Sequence, residues 1–287
     1  MTWGTTIKND IVYHDFSLQT QQQYVETNLR IEYGHAYHAT TLAQGVTYAT
    51  GSDVDCRNRF AANGRLDGTK DIDFRVVSQN WPVMALAYTL GAISETEEPL
   101  VFALGHARDP VVEYQRPNNV IEERSLFFHT TFDSTEDAVS ALFPKWAISH
   151  RSIRPHQLSF FIKDYPNALQ AANAFDSKLK SDADKYSSDY YSALALAARQ
   201  VMAHVEVTVG KNADATLNRD DVLIFMHGSR TNAIEEIYAS APFWLYLNPE
   251  LLRLLLQPII NEQSRKGISS ASQGAVIDLG EFPSYGD

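Results

Sequence analysis

Two adjacent glutamates, Glu235 and Glu236, have the residue type and setting that acid–base chemistry needs. They lie in the stretch NAIEEIYASAPFWLYLNPELL, residues 232–252, directly before a run of aromatic side chains. One carboxylate can take a proton from water while a second carboxyl group protonates a leaving group. If this stretch is a strand, its side chains alternate between two faces, so at most one of the two glutamates faces a site. An ordinary polar or capping role is the alternative for both.

Other candidate motifs in the chain are weak. Ser177 and Lys180 satisfy the pattern S-x-x-K, but the accompanying S-D-N and K-T-G elements are missing, which indicates a solvated helix face. His35 and His38 are three residues apart on a predicted strand, so they point to opposite faces and do not suit one metal ion. The sequence has no dinucleotide fingerprint, phosphate-binding loop, G-x-S-x-G or H-E-x-x-H motif. We therefore predict no cofactor and no metal.

Composition limits the partners of this chain. Its 287 residues carry a formal net charge of -11, and nucleic acids and anionic membranes bind basic surfaces, so we expect neither as a partner. The single cysteine, Cys56, excludes an intrachain disulfide and a cysteine-rich zinc site. No apolar run approaches the ~18 residues of a membrane-spanning helix. The N-terminus has no export signal, so a cytoplasmic location is expected if the chain is expressed as written.

Before about residue 165 the sequence pattern has the period of a β-strand. Val54, Cys56 and Phe60 alternate with charged residues, and residues 70–77 repeat this alternation after an Asn-Gly turn signal. Both segments are predicted strands. Further strand-like runs follow, namely WPVMALAYTL and PLVFALG. Strands joined by short turns, with no helix between them, predict an antiparallel sandwich or barrel.

After residue 165 the pattern has the period of a helix. The stretches NALQAANAFDSKLKSDADKY and SDYYSALALAARQVMAHVEV each predict an amphipathic helix. A third helix is predicted to begin at Asn248-Pro249 and to end near Lys266, with a kink or a break at Pro258. Between the second and third helices, residues 220–239 are predicted to form a hairpin of two short strands.

Several long stretches of the chain resemble one known family. They include YGHAYHAT, VTYATGSDVDCRNRFAANGRL, FALGHARDPVVEY, FFIKDYPNALQAANAFDSKLKSDA and APFWLYLNPELLRLLLQPIIN. In the same order they resemble the fungal glutaminase A family, from about Glu32 to Pro283. The resemblance implies an α+β multi-domain fold, in which an antiparallel β-sandwich is followed by a six-hairpin α/α toroid. It also implies hydrolysis of L-glutamine to L-glutamate and ammonia, in proteins that are exported from the cell.

Compared with that family, the chain is interpreted as a fragment. Residues 1–165 are predicted to be the C-terminal part of the sandwich domain, and residues 166–287 the N-terminal part of the toroid. The segment 143–159 is basic and has no acidic residue, so it is either a retained intron or a genuine surface insertion. We expect the isolated fragment to be inactive and to be capable of self-association through an exposed toroid edge.

Four site residues are predicted, three of which the resemblance implies. Glu235 stands where the family usually has an aspartate, and Asp278 matches a family Asp-Leu-Gly, so both are predicted to be catalytic. Arg199 matches a family Arg-Gln in the second predicted helix and can hold a substrate carboxylate. Tyr238 is predicted to be a second substrate-binding residue. For Arg199, a salt bridge between helices is the alternative.

Two other classes of function stay open. A toroid protein can act on or bind glycans, and Trp244 and Tyr246 would then form an aromatic platform, although core packing also explains both residues. A non-catalytic interaction module is the third possibility, since a partial toroid exposes apolar surface.

Overall fold

The computed structural model describes residues 1–8, 10–27, 30–90, 100–131, 165–228, 230–266, 275–280 and 284–285. These residues have an α+β architecture with antiparallel sheets and five α-helices. The chain folds into two compact units. The described residues of the first lie within 1–23, 32–108 and 165–171, and those of the second within 24–31, 109–131 and 172–287. The predicted insertion at 143–159 lies outside the described residues.

The first unit contains a four-stranded antiparallel sheet and a two-stranded ribbon. The sheet has the order β1 (Thr2–Lys8), β2 (Ile11–Ser17), β5 (His35–Thr41) and β8 (Phe102–Ala107). The ribbon consists of β6 (Val46–Ser52) and β7 (Pro82–Tyr88). Side chains of the sheet contact β7: a ring nitrogen of His14 is 2.9 Å from the carbonyl oxygen of Ala85, and the hydroxyls of Thr40 and Tyr88 are 2.6 Å apart. The strands predicted in WPVMALAYTL and PLVFALG are confirmed as β7 and β8.

The strand predicted around Cys56 is wrong, because residues 53–63 form helix α1 (Asp53–Asn63). The side chain of Ser52 caps this helix by accepting a hydrogen bond from the backbone N–H of Asp55, and Gly64 ends it with φ at 64°. Cys56 is the buried residue of α1, and burial raises the pKa of its thiol. The alternating charged residues fit a mostly exposed helix as well as a strand. The caps at Ser52 and Gly64 therefore decide in favour of the helix.

The strand predicted at residues 70–77 is also wrong, since residues 66–76 form no regular element. Ile72, which was predicted to face inward, is 81% exposed. Arg75 is the buried residue instead, and its guanidinium donates to the carboxylate of Asp71 at 2.7 Å and to the carbonyl oxygen of Asp73 at 2.6 Å. A guanidinium that is ion-paired and hydrogen-bonded can be buried in place of an apolar side chain.

The second unit is built on a five-stranded sheet. Its order is β12 (Leu217–Met226), β11 (Val205–Lys211), β10 (Ile121–Leu126), β9 (Val112–Gln115) and β13 (Ser284–Tyr285). Neighbouring strands are antiparallel, except that β13 runs parallel to β9. A short ribbon of β3 (Glu26–Thr27) and β4 (Arg30–Ile31) belongs to the same unit. The five-stranded sheet joins strands from both sides of residue 165, and the predicted domain boundary there stays a prediction.

Four helices follow residue 165. They are α2 (Tyr165–Ala183), α3 (Ser188–Ala203), α4 (Ile234–Leu247) and α5 (Pro249–Lys266). Helices α2, α3 and α5 were predicted, and the side-chain oxygen of Asn248 caps α5 by accepting a hydrogen bond from the N–H of Glu250 at 3.0 Å. Helix α5 is continuous through Pro258, so the predicted break is absent. No helix in the described parts of the chain combines the length and apolar character needed to cross a lipid bilayer.

Helix α4 occupies the position of the second strand of the predicted hairpin, so that hairpin is wrong. Strand β12 ends at Met226 and pairs with β11, which precedes it in the chain. The first turn of α4 contains Glu235 and Glu236. On a helix these two side chains point about 100° apart around the axis, whereas on a strand they would face opposite sides.

The hydrophobic core of the second unit contains β12 together with helices α4 and α5. Phe225 and Leu255 are fully buried, and Trp244 is only 3% exposed. The indole N–H of Trp244 donates to the hydroxyl of Ser240 at 3.2 Å. Since a buried indole cannot stack on a sugar, the aromatic platform considered for glycan binding is wrong. The hydroxyl of Tyr246 donates to Asp182 instead, at 2.8 Å.

A buried network of charges crosses the five-stranded sheet. Arg124 is fully buried and donates to the hydroxyl of Thr208 at 2.8 Å and to the carbonyl oxygen of Asp221 at 2.7 Å. It also pairs with Glu122, and Arg116 pairs with both Glu122 and Asp221. Burial lowers the pKa of Arg124, while its carboxylate partners raise it. The network links β10 to β11 and β12 across a long sequence separation.

Candidate functional site

A cleft of about 310 Å³ opens within the second unit. Its walls are the C-terminal end of α3, the end of β12 and the first turns of α4. The lining residues are Gln200, Val201, His204, Met226, His227, Gly228, Glu236, Ala239 and Ser240. One carboxylate and two imidazoles therefore share the cleft, and side chains of both types serve as general acids and bases in enzymes.

Strand register brings the two histidines of the cleft together. His204 ends α3, and its ring nitrogen Nδ1 is 2.5 Å from the carbonyl oxygen of Gln200. The backbone N–H of His227 donates to the carbonyl oxygen of His204 at 2.7 Å. This bond continues the ladder of β11 and β12 by one residue pair, so the two histidines stand directly opposite each other.

Asn232 fixes the loop between β12 and α4. Its side chain is fully buried, and its oxygen accepts a hydrogen bond from the N–H of Met226 at 2.6 Å. Its amide group donates to the carbonyl oxygens of Ile224 and Leu255, at 3.2 and 2.9 Å. The backbone has φ at 48°, a left-handed conformation that asparagine tolerates better than most residues. We infer that Asn232 sets where α4 begins and thereby where Glu236 lies.

The structure separates the two adjacent glutamates. Glu236 is half-buried and lines the cleft, with its carboxylate lying against Gly228. Glu235 is exposed and is not one of the cleft-lining residues. The resemblance favoured Glu235, and its catalytic role stays a prediction. The sequence pattern predicted a strand here, on which at most one of the two glutamates would face a site.

Gly228 leaves room for the carboxylate of Glu236, and this suggests a test by paired substitutions. A methyl group at Gly228 would overlap Glu236, whereas one at Gly210 would overlap Asp221, which Arg116 and the buried Arg124 hold in place. Because the atoms that this methyl group would meet are the far end of a long side chain, Gly228→Ala should change the free energy of unfolding by less than about 0.5 kcal/mol. Gly210→Ala should cost roughly 1–3 kcal/mol, as overpacking does.

Urea unfolding of the two variants measures this difference, and the ¹³C signal of the Glu236 carboxylate should move in Gly228→Ala. A Gly228→Ala variant that is as destabilised as Gly210→Ala would show that Glu236 is held rigidly.

The second predicted carboxylate, Asp278, lies near the start of α4 but outside the cleft lining. It accepts hydrogen bonds from the guanidinium of Arg230 at 2.9 Å and from the N–H of Gly280 at 2.8 Å. Its segment runs beside the loop before α4, since the N–H of Ile234 donates to the carbonyl oxygen of Ile277 at 2.8 Å. Asp278 is thus engaged by an arginine, and its catalytic role stays a prediction.

The two predicted substrate-binding residues are exposed. Arg199 lies on α3 directly before Gln200, and none of the ion pairs among the described residues involves it. Tyr238 lies on α4 and is 82% exposed. Neither side chain lines the cleft, and their contacts with substrate stay predictions.

Metal binding finds no geometric support in the part of the chain that the structure describes. No group of three or more histidine, cysteine, aspartate or glutamate side chains there is placed to hold a metal ion. His35 and His38 both lie on β5, as predicted. A ring nitrogen of His38 is 3.2 Å from the carbonyl oxygen of Met84.

A larger groove of about 490 Å³ lies among α2, α3 and α4. Its lining includes the buried residues Leu179, Ala183, Ala198 and Ser240, and Tyr186 and Tyr190 are exposed on it. The groove shares the positions Val201, Ala239 and Ser240 with the cleft. Its lining is mostly apolar and offers contact area rather than groups for acid–base chemistry.

Comparisons with known proteins match two family models to the chain. Residues 1–153 match a domain of unknown function (DUF5127), and residues 187–286 match the glutaminase A six helical-hairpin domain. The chain is 31% identical over 268 residues to "Glutaminase A" of Aspergillus oryzae, covering 91% of this chain and 35% of that protein. It is 26% identical over 269 residues to "Probable glutaminase/05536" of Arthroderma benhamiae, covering 89% and 28%. No solved structure matches.

The two family models match successive parts of the fold. The model for residues 1–153 covers more than half of the chain and contains strands β1 to β10, while the six helical-hairpin model contains α3, α4 and α5. The chain spans about a third of the length of the curated relatives. Antiparallel sheets followed by part of a helical toroid agree with the predicted fold class. The chain therefore belongs to the glutaminase A family.

Proposed function

We propose that the cleft binds L-glutamine and belongs to a glutaminase-like amidohydrolase, which converts glutamine to glutamate and ammonia. The observation that carries this proposal is the meeting of one carboxylate and two imidazoles in a cleft whose lining, from Gln200 to Ser240, lies within the matched six helical-hairpin region. The names of both relatives supply the substrate, a small molecule. A volume of about 310 Å³ falls at the lower end of the range for small-molecule sites.

The groups of the cleft suit the chemistry of an amide. Hydrolysis needs a base for the attacking water and a proton for the departing ammonia. The sequence assigned these roles to Glu235 and Asp278, a pair of carboxyl groups. The cleft offers Glu236 as the base and an imidazole as the second group. The carboxylate of Glu236 can also accept hydrogen bonds from the ammonium or amide groups of glutamine.

We propose further that the 287-residue chain binds glutamine but turns it over very slowly when isolated. It spans about a third of its relatives, and the rest of such a protein would supply further groups of the site. Misplacement of a reacting group by about 1 Å can cost about 10²-fold in rate. We also propose that the protein is exported from the cell, as the resemblance to the family implies.

Substitution of the adjacent glutamates tests the proposal. Glu236→Gln should weaken glutamine binding by about tenfold or more, because a hydrogen bond to a charged group contributes roughly 1.5–3 kcal/mol. Glu235→Gln is the matched control, since this neighbour is exposed, and it should bind as the wild type does. Isothermal titration calorimetry measures both, with ammonia release recorded in parallel.

A panel of oligosaccharides completes the experiment. Binding or hydrolysis of a sugar, with no binding of glutamine, would reverse the proposal in favour of a glycan-acting protein. If glutamine binds more weakly to Glu235→Gln and not to Glu236→Gln, the binding residue is Glu235, which the resemblance favoured.

A second candidate function is non-catalytic association, which the apolar groove among α2, α3 and α4 favours. In that case a second copy of the chain would cover Tyr186 and Tyr190, and the chain would self-associate. Analytical ultracentrifugation over a range of concentrations tests this. A monomer that unfolds cooperatively would contradict it.

A further inference from the structure

We propose that His204 is a specificity-determining residue of the cleft, and that its ring nitrogen Nε2 accepts a hydrogen bond from the side-chain amide of L-glutamine. The inference rests on the proposed function, since it names the group that distinguishes glutamine from the product glutamate. It concerns binding, and the proposed function needs only one of the two imidazoles of the cleft as a proton donor.

The end of α3 leaves a backbone carbonyl group to the ring of His204. In a regular helix the carbonyl oxygen of Gln200 would accept from the backbone N–H of His204, four residues later. That N–H donates instead to the carbonyl oxygen of Val201, at 3.3 Å. The ring nitrogen Nδ1 of His204 takes its place, 2.5 Å from the carbonyl oxygen of Gln200. Histidine side chains near a helix C-terminus can bond the last carbonyl groups in this way.

This contact determines which ring nitrogen carries the proton. A carbonyl oxygen can only accept a hydrogen bond, so Nδ1 is the N–H of the neutral ring. Nε2 then carries the lone pair and is an acceptor. Among the described residues, the structure gives the ring of His204 no second hydrogen-bond partner, so Nε2 is free to accept from a ligand.

The backbone of His204 is held at the wall of the cleft. Its carbonyl oxygen accepts a hydrogen bond from the N–H of His227 at 2.7 Å, which ties the end of α3 to the end of β12. His204 and its bonding partners Gln200, Val201 and His227 all line the cleft. An acceptor whose ring and backbone are both bonded loses little freedom when a ligand binds, which favours affinity.

Glutamine and glutamate differ at the group that this acceptor would meet. The side-chain amide of glutamine has two N–H donors, whereas the carboxylate of glutamate has none. Glutamate would place a charged acceptor beside the lone pair of Nε2 and beside the carboxylate of Glu236, which lines the same cleft. A site rejects a close analogue by such unmatched groups. The wild-type chain should therefore bind glutamine roughly tenfold more tightly than glutamate.

The tautomer of His204 tests the first step of the inference without any ligand. Long-range ¹H–¹⁵N spectra, recorded at about pH 8 to keep imidazole rings neutral, show which ring nitrogen carries the proton. We expect the Nδ1–H tautomer of His204 in roughly threefold excess or more. His14 is an internal control, because its Nε2 lies 2.9 Å from the carbonyl oxygen of Ala85 and should carry the proton there. An excess of the Nε2–H tautomer at His204 would overturn the inference.

Calorimetric titration with glutamine and with glutamate tests the second step. His204→Asn keeps an amide N–H near the position of Nδ1 but removes the acceptor at Nε2, so the preference for glutamine should fall by about fivefold. His204→Gln places an amide oxygen near the position of Nε2 and should restore part of the preference. Met202→Ala is the control, because Met202 is exposed on α3 and does not line the cleft. Its preference should equal that of the wild type.

An unchanged preference in a folded His204→Asn variant would also overturn the inference. The same titrations separate this failure from a failure of the proposed function. If glutamine binds and the preference does not depend on residue 204, only the role of His204 fails. If glutamine binds neither to the wild type nor to the variants, the proposed function fails and the role of His204 fails with it.

Discussion

Replacement of Arg124 by alanine should lower the free energy of unfolding of the second unit by roughly 3–5 kcal/mol. Its guanidinium is fully buried and is shared among Glu122, Asp221 and the hydroxyl of Thr208. Without it, the two carboxylates face each other with only Arg116 to balance them. An unbalanced charge in a poorly solvated place costs far more than an intact ion pair contributes.

Urea unfolding followed by circular dichroism measures this loss. Arg253→Ala is the matched control, because Arg253 pairs with Glu250 at the surface of α5 in the same unit. The loss there should be much smaller, because solvent screens an exposed ion pair and such pairs contribute little to stability. Removal of Glu122 together with Arg124 should recover part of the stability, since one uncompensated charge disappears. Equal losses of stability for Arg124→Ala and Arg253→Ala would contradict the large contribution that we expect from the buried network.

Acidification should destabilise the first unit by roughly 3 kcal/mol through one residue, His14. Its ring is fully buried, with one nitrogen 2.9 Å from the hydroxyl of Thr5 and the other 2.9 Å from the carbonyl oxygen of Ala85. Burial lowers the pKa of His14 to about 4, from an ordinary value of 6.5. Its neighbours His38 and Lys70 lower this pKa as well.

The direction of the effect follows from proton binding. Between pH 6.5 and about 4 the unfolded chain binds a proton at His14 and the folded chain does not. Stability is therefore retained above pH 6.5 and is lost as the pH falls towards 4. Unfolding of the wild type and of His14→Gln at a series of pH values measures the contribution. His14→Gln should show a flatter pH dependence in this window, and equal slopes would contradict the assignment.

The parts of the fold that depend on local signals could be predicted from sequence. Asn248 and Pro249 are start signals that act within one helical turn, and α5 begins there. Helix α1 was missed because the caps at Ser52 and Gly64 outweighed an alternation of charged residues. Helix α4 was missed because its N-cap residue, Ala233, offers no side-chain oxygen that would signal a helix start.

The candidate site depends on contacts that no local pattern contains. Glu236 lines the cleft and Glu235 does not because of the direction of α4, which Asn232 anchors through a hydrogen bond to Leu255 on the next helix. Strand register also brings Oε1 of Glu206 to 3.5 Å from Nε2 of His227. Sequence resemblance could suggest the region, but the structure was needed to show that Glu236 lines the cleft and Glu235 does not.

Titration of the 287-residue chain with L-glutamine tests the assignment of the cleft most directly. The ring signals of its nine histidines can be followed by NMR as the ligand is added. We predict that the signals of His204 and His227 shift and saturate, while those of His14 and His38 in the first unit stay in place. If the signals of His204 and His227 do not change at saturating glutamine, or change only when an oligosaccharide is added, the result would contradict a glutamine site beside Glu236.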